Sequence, residues 1–169
     1  MRQIKINSTT GSEIVTTSDF KSYARINYTD DDSMIAKILV KARIWCENYI
    51  SRDIVAKNRT YYLDSTQGVF DLPFGPVASI SSVTIDGVAN TDFTTPGLDN
   101  ETVDIDGPGD KVKVTYITSG LDDNLLEQAI LQLASTYYDF RHDFEVGKAV
   151  NIIPTSVKDI LNSYKNMFI

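Results

Sequence analysis

One cysteine, one histidine and no surplus of positive charge set the first limits on this chain of 169 residues. A single thiol cannot close an intramolecular disulfide, which suits a reducing compartment. A zinc site wants three or four nitrogen or sulfur ligands, so Cys46 and His142 exclude one unless carboxylates supply most of it. Acids outnumber bases by 23 to 16, giving a net charge of −7 with no basic run. That balance disfavours clamping nucleic acid by its phosphates, although it does not bar a place beside DNA. No apolar stretch approaches the roughly 20 residues that span a bilayer, so no membrane partner is expected. The opening MRQIKINSTTGSEIV has no apolar run of the kind a signal peptide needs. Missing too are a Walker-type glycine loop, a GxSxG elbow and the basic–aromatic interleaving of single-strand binders.

What is present divides by periodicity. TTSDFKSYARI predicts a short helix capped by Thr17 or Ser18, with Phe20, Tyr23 and Ala24 on one side. A longer helix follows Asp30–Asp32, with Ile35, Ile38, Leu39, Ala42, Trp45, Cys46 and Tyr49 at helical spacing. From about 58 to 118 the texture changes to RTYYLD, GVFDLP, SSVTIDG, TVDI and KVKVTYITSG. In the last of these, Val112, Val114 and Tyr116 alternate with Lys111, Lys113 and Thr115, which predicts one buried and one wet face. Turn residues separate the runs at Asp86-Gly87, Pro96-Gly97 and Asp106-Gly107-Pro108-Gly109. Helix returns with Leu126, Ile130, Leu133, Tyr137 and Phe140 on one stripe, widened by Leu125 and Ala129. Asp122, Asp123 or Asn124 would cap it. A last helix from near Pro154 puts Val157, Ile160, Leu161 and Tyr164 on one side. The expected class is α+β: a helical bundle of about four helices (1–57 and 119–169) with an inserted antiparallel β-sheet or small β-sandwich (58–118).

Candidate chemistry is thin. Cys46 on the apolar face beside Trp45 reads as a buried structural thiol. His142, at a predicted helix C-terminus, needs no role beyond the helix dipole. DIDGPGDK has a glycine at the sixth position of a calcium loop but Thr115 where the bidentate acid belongs, so a hairpin turn is the better reading. The acids of TDDDS are explained as helix capping. No catalytic, metal or cofactor site is expected, and the chain is not read as an enzyme. DLPFGPV, with two prolines that cannot donate ladder bonds, reads as a fixed corner between strands. Phe74 and Val77 are expected to plug the junction of sheet and helices there.

Particular residues carry a resemblance. VTTSDFKSYARINYTDDDSMIAKILVKARIWCENYISRDIV contains an A-R-x-W-x-E-x-Y run, here Ala42, Arg43, Trp45, Glu47 and Tyr49, closed by Arg52. A corner of Leu72, Pro73, Gly75, Pro76 and Val77 follows, then Tyr116 and Gly120 before a helix with Leu126, Ala129, Ile130, Leu131 and Leu133. Together these resemble the head–tail connector (adaptor) proteins of tailed bacteriophages, over about residues 17–141. The resemblance implies a structural virion protein of the neck, made in the host cytoplasm. It would form a homo-oligomeric ring, typically of twelve copies, beneath the portal protein. Such a ring extends the DNA channel, passes the genome without specific binding and offers a surface to head-closure or other tail-side neck proteins. The C-terminal segment would reach the portal, which nominates Ile160, Tyr164, Met167, Phe168 and Ile169 for docking. The alternatives are another neck or tail-completion ring protein, or a polysaccharide-acting enzyme using the β module. The only clustered acids for the latter are Asp104, Asp106 and Asp110.

Overall fold

The structure, a computed structural model, describes residues 1–97, 99–140 and 154–165. They form two compact units: Met1–Ser12 with Ser51–Leu121, and Glu13–Ile50 with the described residues from Asp122 onward.

The first unit is a sheet sandwich. Strands β1 (Arg2–Thr9), β2 (Lys57–Thr66), β4 (Val77–Ile85), β5 (Val88–Asn90) and β7 (Gly109–Thr118) form one antiparallel sheet in the order β1-β2-β7-β4-β5. The short strands β3 (Val69–Asp71) and β6 (Thr102–Asp104) pair in a second sheet. Alternation decides which side of each strand is buried. Val112, Val114 and Tyr116 of β7 are fully buried, and Tyr61 and Leu63 of β2 join them. From the loops and short strands, Leu72, Val103 and Ile105 close the same core, with Phe70 partly buried against it. Each such side chain stabilises the fold by about 1.5–3 kcal/mol.

Two turns explain the connections. Asp86 (φ 50°) and Gly87 (φ 82°) link β4 to β5, with Ile85 facing Val88; two residues at positive φ match the twist of a tight hairpin. Asp106 (φ 55°) and Gly107 (φ 123°) turn the chain from β6 to β7. The segment DIDGPGDK is therefore a turn as expected, but it joins two sheets and is not the tip of a hairpin.

Residues 1–12, 51–57 and 119–121 cluster with the sheet, where the sequence pattern expects them with the helices. Every residue of β1 is exposed, so the strand is held by its backbone ladder to β2 and leaves little hydropathy signal.

The second unit is helical: α1 (Thr17–Ala24), α2 (Asp32–Ile50), α3 (Asn124–Asp139) and α4 (Thr155–Asn162). Helices α2 and α3 form the main pair, with α1 and α4 against both. Phe20, Ile35, Leu39, Ala42, Cys46, Leu126, Ala129, Ile130, Leu133, Val157 and Leu161 are buried. The cap of α1 is Thr16, one residue before the expected choices. Asp19 N–H donates to Thr16 Oγ1 (3.2 Å), and the Asp19 carboxylate accepts from Thr16 N–H (2.8 Å), which is a capping box. Asp123 caps α3 by accepting from Leu125 N–H at 2.8 Å. Leu125 and Phe140, expected on the apolar stripe of α3, are each 48% exposed. Leu125 lies in its first turn, and Phe140 is the capping residue just past its end.

Candidate functional site

Both units bury charge. In the sheet unit, β2 turns Lys57 and Arg59 to the same side as Tyr61 and Leu63. Both side chains meet Asp53, which is completely buried. Arg59 grips it as a fork, Nε to Oδ2 at 2.7 Å and Nη2 to Oδ1 at 2.6 Å. Lys57 Nζ donates to Oδ1 at 2.8 Å, and Thr118 Oγ1 donates to Oδ2 at 2.9 Å. Hydrogen bonds at this many lone-pair sites are what make a buried carboxylate tolerable. Sequence reasoning missed this cluster. The one available signal was the period of two along KNRTYYLD, which places both cations on the strand's inner side.

In the helical unit, Arg43 and Glu47 of the A-R-x-W-x-E-x-Y run lie one turn apart on α2, both buried. Arg43 Nη1 donates to Glu47 Oε2 at 2.8 Å, while Nε and Nη2 reach Glu13 at 3.0 and 2.7 Å. A guanidinium can serve two carboxylates at once, a geometry a lysine cannot reproduce. Ala42 is also buried. Trp45 and Tyr49, half-buried, stack with ring centroids 5.1 Å apart. Tyr49 OH donates to Asn162 Oδ1 of α4 at 3.0 Å.

The corner DLPFGPV is built around the Asp53 cluster. Leu72 and Val77 are buried in the core of the sheet unit. Phe74, at φ 63°, lays its ring 4.0 Å from the Arg59 guanidinium carbon. Tyr116 OH donates to the carbonyl of Pro73, and Pro76 O accepts from Ser119 N–H at 2.9 Å. Burial pushes the Tyr116 phenol up. A Cβ on Gly75 would stand 2.1 Å from Glu101 Oε1, the atom that accepts from Arg52 Nη2 at 2.6 Å. Within the sheet unit, Phe74 stacks on a cation and Val77 fills the core. Gly120, at φ 78°, has no space for a side chain because a Cβ would lie 2.6 Å from Ile54 O.

The remaining candidates sort plainly. Cys46 is buried and its thiol is pushed up to about 12, first by loss of solvation and then by the charge of Glu47. Asp32 pairs with Lys21 at 2.8 Å and Asp31 accepts from Tyr138 OH at 2.6 Å, so two of the TDDDS acids work inside the helical unit. Asp104 accepts from the N–H of Asp106 at 3.0 Å and shapes its turn. Among the described residues, no group of three or more His, Cys, Asp or Glu side chains could hold a metal ion. None of their helices is long and apolar enough to cross a membrane. Of the docking candidates, Ile160 and Tyr164 are half-buried. Tyr164 hydrogen-bonds to Asp123, which raises its phenol to about 12. Met167, Phe168, Ile169 and His142 lie outside the described residues.

Residues 14–94 match the family model described as phage gp6-like head–tail connector protein. Among solved structures, a chain from the neck of an empty gene transfer agent particle, computed with C6 symmetry, superposes with a TM-score of 0.76 at 17% identity. The match covers 99% of this chain and 97% of that one. A chain from the neck of the native particle, computed with C12 symmetry, gives 0.74 at 15% identity over the same shares. A chain from the native virion gives 0.73 at 14%, again over 99% and 97%. At these identities the likeness establishes a shared fold along nearly the whole chain. Among curated proteins, none matches.

Proposed function

From the match of residues 14–94 to the phage gp6-like head–tail connector family, we propose that this chain is a head–tail connector, a structural protein of a phage neck. In this reading, copies assemble as a ring beneath the portal, extend the DNA channel and present a surface to the next tail-side protein. The observation that carries it is that both the family pattern and the full-length fold point to the same place in a particle. The symmetric necks in which the similar chains occur support a ring here. A ring uses heterologous contacts, so each subunit needs two different complementary patches. With a charge of −7 per copy, an acidic collar would let DNA slide without holding it. A lumen lined with Lys and Arg would contradict that part.

For portal docking we propose the C-terminal segment, with Ile160, Tyr164, Met167, Phe168 and Ile169. Removing all of 154–169 would also strip the buried Val157 and Leu161 from the helical core. Truncation after Asn166 is therefore the sharper test. Binding of the shortened chain to portal rings should fall severely while its circular dichroism and melting are unchanged. Undiminished binding would move the docking surface elsewhere.

A further inference from the structure

We propose that the two free edges of the large sheet meet between neighbouring copies of this chain, the β1 edge of one against the β5 edge of the next. The proposal rests on the ring reading above and names the contact that would build it. Strand order puts β1 and β5 at opposite ends of the sheet, as a head-to-tail contact requires.

The β1 edge looks unfinished. Ile4 faces Tyr61 and Ile6 faces Arg59 across the ladder, so both isoleucines stand on the side of the sheet that forms the core. Yet they are 38% and 49% exposed. A long strand with unpaired backbone groups and wet apolar side chains is the kind of edge that proteins otherwise cover or blunt. The register shift after Ile6 leaves the flat part at Arg2–Ile6.

Charge chooses the occupant. RQIKINST carries Arg2 and Lys5 and no acid, so two β1 edges side by side would oppose like charges. The other edge is complementary. DGVANTD, residues 86–92, carries Asp86 and Asp92 and no base. Val88, opposite Ile85 and therefore also on the core side of the sheet, is 71% exposed. The Asp86 carboxylate pairs with Lys111 at 3.5 Å on open surface, a contact weak enough to be exchanged. Val88–Asn90 is as long as Ile4–Ile6, enough for a short ladder in which both edges bring apolar side chains and their charges are of opposite sign. Backbone pairing would supply the adhesion and the charges the direction.

Charge exchange tests this in the full chain. Arg2→Glu/Lys5→Glu and, separately, Asp86→Asn/Asp92→Lys should each reduce rings on portal by at least about tenfold in electron micrographs. The combined variant should restore them. Rings made as readily by either single-edge variant, or no rescue in the combination, would overturn the edge contact. An I6C/V88C chain, mildly oxidised, gives an independent readout in portal-free solution, where a ladder of linked chains is expected. A ladder without any ring on portal would sink the portal reading and keep the edge contact. Rings without a ladder would do the reverse.

Discussion

The sheet unit buries a carboxylate held by two cations; the helical unit buries a cation held by two carboxylates. In the first, Asp53 receives Lys57, Arg59 and Thr118. In the second, Arg43 donates to Glu47 and Glu13. The difference lies in how each network reaches along the chain. Arg43 and Glu47 are neighbours on one helix, joined to Glu13 before α1. The Asp53 cluster draws on the loop after α2, on β2 and on the end of β7, with the Phe74 ring stacked over its arginine. It ties distant segments of the sheet unit into one arrangement, so it should be the costlier to break. Removing one member of a buried ionic cluster leaves the rest desolvated and uncompensated.

Asp53→Ala puts that expectation at its strongest. It should lower stability by about 3–5 kcal/mol in denaturant titration, and near-neutrality would show that the cluster is replaceable. Arg43→Lys keeps the charge but loses the fork, and should cost less, about 1–3 kcal/mol. A loss equal to that of Asp53→Ala would erase the asymmetry. Smaller again is the start of α1, where Thr16→Ala should cost about 1 kcal/mol. The bonds from Thr16 hold the Asp19 carboxyl below its ordinary 3.8. A depressed acid stabilises the fold above its unfolded value and loses that contribution as pH falls through the folded one. The Thr16→Ala penalty should therefore shrink below about pH 4 and stay constant above about pH 6. The least effect near neutrality belongs to Cys46, raised from 9.0 to about 12. A raised thiol is neutral in the fold at pH 8, so the native chain should resist alkylation there. Its contribution is lost only as pH climbs from about 9 toward 12. Rapid labelling at pH 8 would show that the helical core opens readily.

Much of this was legible in the sequence because burial leaves a period. Val112, Val114 and Tyr116 in β7, and Leu126, Ile130 and Leu133 in α3, announce themselves by spacing alone. Edge and ionic features do not. Strand β1 escaped because none of its side chains is buried, and β5 because three residues are too few for a pattern. Lys57, Arg59 and Asp53 escaped because charged residues are ordinarily read as surface. The run containing Arg43 and Glu47 stood out by resemblance, and the structure supplies a physical reason for those two types one turn apart: they hold each other inside the helical unit. For the corner the stiffness was legible, but its partners were not, since stacking on Arg59 depends on a fold-level meeting.

An asymmetric cryo-EM reconstruction of the intact particle would test the proposed ring in the neck most directly. The predicted result is a closed ring of this chain immediately beneath the portal, with the large sheets of adjacent copies meeting edge to edge. A portal vertex that passes directly to a different protein, with this chain absent from the neck, would contradict it.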